Sequence, residues 1–252
     1  MRKQIFRFHL ARLPLASGHC NACPLASCTC QFPAADQNLD VKVLITAGPT
    51  REPLDPVRFL TNRSSGKMGY TLAGAFLHEG HSVLLISGPT YLDVPDGADF
   101  IPVETAAEMH DAVASYIGKM DVAVFAAAVA DYTPAHIEPQ KIKKTGTKLT
   151  LELVRTADIL GSAREKFGFL GTLVGFAAET ENLESNAREK LTRKHCDLII
   201  ANDVSQPGSG FDVDYNQVLL VYPDRTEPLP HTTKHELSLQ LVDAICALAE
   251  NK

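Results

Sequence analysis

Apolar residues in this chain come in short unbroken runs separated by longer amphipathic stretches, and this rhythm predicts the fold. VKVLITAG (Val41 to Gly48), HSVLLIS (His81 to Ser87), DVAVFAAA (Asp121 to Ala128), TLVGFAAE (Thr172 to Glu179) and DLIIAND (Asp197 to Asp203) read as strands. Their hydrophobicity is continuous rather than alternating, the pattern of strands covered on both faces. Between them the periodicity predicts helices over Gly66 to Glu79, Thr105 to Ile117, Asp158 to Phe167 and Leu183 to Lys194, the first with Ser64 or Ser65 as its N-cap. A short strand near Phe100 to Val103 and the run LTLELV (Leu149 to Val154) fill the gaps. A hairpin-like stretch, QVLLVYPDRTEPLP (Gln217 to Pro230), precedes a last helix ending near Glu250. The alternation predicts an α/β, Rossmann-like, doubly wound and mainly parallel sheet with helices on both faces.

Composition divides the chain into a tail, residues 1–40, and a domain, residues 41–252. The tail concentrates four of the six cysteines, Cys20, Cys23, Cys28 and Cys30. Their spacing could hold zinc or an iron–sulfur cluster, but it lacks the paired knuckles of ribbon sites, and the tail reads as a disordered segment with incidental thiols. Cys196 and Cys246 stand alone in apolar surroundings and read as reduced core residues. The 24 basic and 30 acidic residues leave a formal charge of -6, which gives no general attraction to nucleic acid or to an anionic membrane. No run reaches the roughly 18 to 20 apolar residues of a membrane span. A cytoplasmic protein is expected, and any anion site in it must be local.

The densest chemistry lies between the first strand and the first helix, in GPTREPLDPVRFLTNRSSGKMG (Gly48 to Gly69). A strand, a long polar loop and a helix N-terminus make a phosphate-binding corner, with Ser64, Ser65 and Gly66 at the turn. The dinucleotide fingerprint G-x-G-x-x-G is missing, because the glycines fall at Gly48, Gly66 and Gly69; the P-loop pattern is missing too. Asn62 can donate to a developing oxyanion and Arg58 can clamp a carboxylate or phosphate, which suits activation of a carboxylic acid. Arg58 could instead be only an ion-pair partner of Asp55. AAAVADYTP (Ala126 to Pro134) follows a central strand and leads through Asp131 to the cationic loop KIKKTGTK (Lys141 to Lys148), a suitable local partner for a polyphosphate. Lys190 and Lys194 lie one helical turn apart and face the same way. Asn202 and Asp203 end a strand and could be catalytic, but strand-end Asn-Asp pairs commonly satisfy turn backbone, so they read first as structural or dimer residues.

These motifs carry a family resemblance. The Gly48 to Gly69 loop, AAAVADYTP with KIKK, GFAAET (Gly175 to Thr180) and ANDVS (Ala201 to Ser205) occur in the order found in bacterial phosphopantothenoylcysteine synthetases, over roughly residues 41 to 250. In many bacteria that synthetase is the C-terminal half of a bifunctional coenzyme A biosynthesis protein; the flavin-dependent decarboxylase half is absent here, so a separate decarboxylase would be a partner. The resemblance implies a CTP-dependent ligase that joins L-cysteine to 4'-phosphopantothenate through an acyl-cytidylate, with Mg2+ carried on the CTP phosphates. It implies active-site roles for Arg58 and Asn62, the latter holding the acyl-cytidylate, and for Lys141 on a loop that closes over the site. It further implies nucleotide contacts at Phe125, Ala126, Ala127, Asp131, Ala157, Asp158, Ile159, Leu160, Phe176, Lys190 and Lys194. Ala157 departs from the family, which often has proline there. The resemblance also implies a homodimer, with the ANDVS region and the C-terminal hairpin at the contact. A different class of function, a nucleotide-binding regulatory or redox module with a metal on the cysteine tail, is weakened by the missing glycine fingerprints.

Overall fold

The computed structural model describes residues 40–144, 146–203, 215–250 and 252. The cysteine tail and the end of ANDVS lie outside these residues. In chain order the elements begin with β1 (Lys42–Ala47), β2 (Arg51–Pro53), β3 (Phe59–Thr61), α1 (Lys67–His78), β4 (Ser82–Ser87), β5 (Asp99–Pro102) and α2 (Ala106–Tyr116). The central part holds β6 (Val122–Phe125), β7 (Tyr132–Pro134), β8 (Leu153–Arg155), α3 (Ile159–Glu165), β9 (Thr172–Glu179), α4 (Leu183–Lys194) and β10 (Leu198–Asp203). The chain closes with β11 (Tyr215–Asn216), β12 (Val218–Val221), β13 (Thr226–Pro228), β14 (Thr232–Thr233) and α5 (Lys234–Glu250).

Eight strands form one sheet in the order β13-β12-β10-β9-β6-β1-β4-β5. The six from β5 to β10 are parallel; β12 joins β10 antiparallel and β13 closes the edge as a hairpin. Along β1 the side chains alternate between two cores, as strand geometry requires. Val43, Ile45 and Ala47 pack with Leu72 and Phe76 of α1 and Leu237, Leu241 and Ile245 of α5. Leu44 faces the other way, onto Met109 and Val113 of α2, Ala163 of α3 and Leu191 of α4. Both faces are therefore covered, which is why these strands read as uninterrupted apolar runs.

Helix starts account for the boundaries. Thr105 caps α2 in a reciprocal box with Glu108, and Asp158 caps α3 by accepting from the Gly161 amide at 2.9 Å. The expected serine cap on α1 is corrected. The N-cap is Gly66 at φ 78° with no side-chain cap hydrogen bond, while the Ser64 hydroxyl accepts from the Gly66 amide at 3.3 Å. Only glycine suits this turn: its φ is left-handed, and an added Cβ would sit 2.7 Å from the Thr90 methyl carbon and 3.3 Å from Gly48 Cα.

One departure concerns a strand. LTLELV contributes only Leu153 and Val154 to β8, which pairs antiparallel with β7 in a small sheet outside the main one. The C-terminal hairpin forms as expected, with β12 and β13 extending the main sheet antiparallel and Val218, Leu220 and Val221 buried.

A cationic cleft at the strand-order reversal

The strand order reverses between β1 and β6, and a doubly wound sheet opens a crevice at the carboxyl ends of its strands at that point. Here the crevice consists of two adjoining hollows of about 550 and 490 Å3, which share Ala127, Val129, Asp131, Phe176 and Lys190. Thr46, Phe125, Ala157, Asp158, Ile159, Leu160 and Lys194 line the first; Asn62, Ser64, Ser65, Gly66, Ala126 and Ala128 line the second. Segments from widely separated parts of the sequence thus meet around one space.

Its charge contrasts with that of the whole chain. Seven basic side chains (Arg155, Lys190, Arg193 and Lys194 in the first hollow, Arg63, Lys67 and Lys234 in the second) line the cleft against two carboxylates, Asp131 and Asp158. Asp158 is already engaged with Lys194 and the Gly161 amide. Burial acts to raise its pKa, but these partners outweigh burial and hold the carboxyl below its ordinary value. Lys190 donates to the Phe176 carbonyl at 2.7 Å, and burial lowers its pKa, the sign of a cation deprived of water. A cleft so lined suits a polyanion.

The loop residues are tied together by hydrogen bonds. Asn62 donates from Nδ2 to the Val129 carbonyl at 2.9 Å, joining the Gly48 to Gly69 loop to the AAAVAD segment. The Thr50 hydroxyl accepts from the Ala130 amide at 3.0 Å, and Thr61 Oγ1 donates to the Thr50 carbonyl at 2.7 Å. Asn62 is therefore oriented by both loops it connects.

Arg58 and Lys141 lie elsewhere. Arg58 meets Asp55 through Nη2 at 2.6 Å and Nε at 2.9 Å, and its Nη2 also donates to the Ile142 carbonyl at 2.6 Å. The ion-pair alternative for Arg58 thus describes its place in this structure. Lys141 lines a separate hollow of about 610 Å3 with Leu54, His136, Glu138 and Leu149.

One wall of the cleft has no counterpart among the residues that the motifs assign to the site. Asn202, at the end of β10, Asn216 on β11 and Lys234 at the start of α5 line the second hollow. Asn216 is 2% and Lys234 6% exposed, and Asn202 Oδ1 is buried without a hydrogen-bond partner among the described residues. A lysine opening an amphipathic helix carries no local sign of burial; the β11–β14 pairing, Asn216 opposite Thr232, brings this wall together.

Residues 39–248 match the DNA/pantothenate metabolism flavoprotein C-terminal domain family. The chain belongs to this family. It is 50% identical over 210 residues to the coenzyme A biosynthesis bifunctional protein CoaBC of Bacillus subtilis (strain 168), a match covering 82% of this chain and 52% of that protein. The corresponding protein of Escherichia coli (strain K12) is 44% identical over 215 residues, covering 84% and 53%. The chain therefore spans about half the length of the curated relatives it matches. Among solved structures, the C-terminal domain of a CoaBC protein superposes with a TM-score of 0.72 at 39% identity, over 84% of this chain and 97% of that one. A Cab2 variant in complex with phosphopantothenate-cysteine shares the fold alone, with a TM-score of 0.68 at 20% identity, over 84% of this chain and 87% of that one.

The Rossmann-like architecture described above is the one that the solved CoaBC domain shares. No helix among the described residues is long and apolar enough to cross a membrane.

Proposed function

We propose that the chain is a CTP-dependent phosphopantothenate–cysteine ligase of coenzyme A biosynthesis. The carrying observation is the cleft itself, with seven basic side chains against two carboxylates in a protein of net charge -6. The carboxylate of 4'-phosphopantothenate attacks the α-phosphorus of CTP, pyrophosphate leaves, and an acyl-cytidylate forms. The amine of L-cysteine then attacks the acyl carbon, loses a proton, and expels CMP. The nitrogen nucleophile comes from the substrate, so catalysis rests on positioning and charge stabilisation.

In this reading the first hollow takes the nucleoside between Phe125, the Ala157 to Leu160 segment and Phe176. The shared wall around Lys190 and the α1 N-terminus take the phosphates, where helix dipole and ammonium groups oppose their charge. Asn62 stands at the junction and holds the acyl-cytidylate. Lys141, in its separate hollow here, meets the phosphates when its loop closes over the cleft. Mg2+ carried on CTP would supply screening of the triphosphate charge. Asp131, lining both hollows, is the carboxylate available to such an ion.

A homodimer is part of the proposal, with its contact on the two small sheets. Phe59 of β3, Tyr132 of β7 and Leu153 and Val154 of β8 are each more than 40% exposed, and β2 packs against β7, so these apolar side chains share one arm of the fold. Two-stranded sheets are marginal alone and gain from cover, which a second copy supplies. Sedimentation of wild type against Leu153→Lys tests it: a dimer that becomes a monomer supports the contact.

The test of the reaction is rapid quench with labelled CTP and phosphopantothenate in the absence of cysteine. A mixed anhydride of CMP and phosphopantothenate is expected, consumed on adding cysteine. Its absence, with ligation intact, would remove the cytidylate route.

A further inference from the structure

The Asp55 carboxylate is fully covered, and four hydrogen bonds converge on it. Oδ1 accepts from the amides of Val57 at 2.8 Å and Arg58 at 2.9 Å; Oδ2 accepts from Arg58 Nε at 2.9 Å and from the Ile142 amide at 3.1 Å. Arg58 completes the circuit by donating to the Ile142 carbonyl at 2.6 Å. One acid–base pair therefore holds both the N–H and the C=O of a single residue 84 positions away from Arg58. Nearby, the Glu138 amide donates to the Leu54 carbonyl at 3.0 Å, a second tie between the same two segments.

Ile142 is the residue immediately after Lys141. A lysine-rich, glycine-containing loop with exposed side chains would ordinarily wander, and a loose backbone cannot deliver an ammonium to a reacting phosphate reproducibly. Here the backbone is pinned one residue from the lysine, by a carboxylate covered enough to exclude competing water. We propose that Asp55 is a positioning residue, which acts through Arg58 and Ile142 to anchor the base of the loop that carries Lys141, so that the loop closes over the cleft from a fixed root. The inference rests on the proposed role of Lys141 and adds a residue to which neither the motif reading nor the comparisons assign a role.

The experiment compares Asp55→Asn, Ile142→Pro and Lys141→Ala in the full-length protein, with CTP-dependent ligation kinetics and hydrogen exchange at the Ile142 amide. Asp55→Asn removes the charge that orders the circuit; Ile142→Pro removes the N–H that Asp55 accepts and leaves the Asp55–Arg58 pair, while Ile142→Ala keeps that N–H, and Lys143→Pro serves as the control for a proline's own backbone constraint in this loop, so the three decide the matter if Asp55→Asn fails to fold. The expected result is a roughly 10- to 100-fold loss of kcat in Asp55→Asn and Ile142→Pro but not in Ile142→Ala or Lys143→Pro, with the KM for CTP changed by no more than about threefold, because positioning is lost while nucleotide contacts remain. Exchange at the Ile142 amide should accelerate in Asp55→Asn. Wild-type kcat in a folded Ile142→Pro or Asp55→Asn protein, or unchanged Ile142 exchange in the latter, would overturn the proposal. Near-normal turnover in Lys141→Ala would overturn it by a different route, showing that the reading of Lys141 itself had failed.

Discussion

Asn62 Nδ2 donates to the Val129 carbonyl at 2.9 Å and lies 3.4 Å from the Ala128 carbonyl, so a single amide group faces two backbone oxygens across the cleft. Asn62→Asp turns that donor into a carboxylate directed at the same oxygens and at the electron-rich intermediate. Flux through the acyl-cytidylate should fall by roughly 100-fold or more, the scale of losing an oxyanion donor. Rapid-quench analysis with labelled CTP checks this; unchanged flux in a folded protein would take Asn62 out of the site.

Lys190 is a cation short of water that donates to the Phe176 carbonyl. A bound phosphate restores what burial removed. Lys190→Met should raise the KM for CTP by roughly 10- to 100-fold, the value of a hydrogen bond to a charged group. Titration with CTP and with CMP separates phosphate from base contacts: a loss confined to CTP supports the assignment, and equal losses for both nucleotides count against it.

Acid should weaken the fold through Asp55. Burial acts to raise its pKa, but the amides of Val57 and Ile142 and the Arg58 side chain and amide outweigh burial and hold it at about 2, against 3.8 for an ordinary aspartate. The sign follows: the folded state binds this proton more weakly than the unfolded chain, so the contribution to stability is complete above 3.8 and is lost as pH falls towards 2. Denaturant midpoints between about pH 5 and pH 2 should decline less steeply in Asp55→Asn than in the wild type. Parallel decline would show that the carboxylate is not held as described.

Burial pushes the Cys196 thiol up to about 12 and the Cys246 thiol up to about 11. Neither is a thiolate at neutral pH, and the thiolate is the reactive form. Iodoacetamide at about pH 8, mapped by mass spectrometry, should leave Cys196 unlabelled in the folded protein and label it after denaturation. Labelling of native Cys196 would show that the thiol is not buried as described.

Much of the architecture was legible because the signals are local. The apolar run Thr172 to Glu179 and the periodicity of Leu183 to Lys194 coincide with β9 and α4 residue for residue. LTLELV misled because its apolar residues alternate as a half-buried strand would, yet Leu149 and Leu151 are exposed and only Leu153–Arg155 pairs. The cap on α1 misled for a different reason: Ser64 and Ser65 have the right chemistry, but the close approach of Gly66 to Gly48 decides where the helix starts. In the site, motif residues such as Asn62, Gly66, Asp131 and Phe176 do converge on the cleft. Asn202 falls in the ANDVS motif, but Asn216 and Lys234 beside it were not legible, since their place depends on pairing between β11 and β14 and on where α5 begins.

Pyrophosphate release measured with CTP and with ATP, each with and without phosphopantothenate and L-cysteine, decides whether CTP drives activation of phosphopantothenate. Release with CTP is expected only when phosphopantothenate is present, limited to about one equivalent per site without cysteine and continuous with it. Release that ignores phosphopantothenate, or that proceeds as well with ATP as with CTP, would contradict CTP-driven activation.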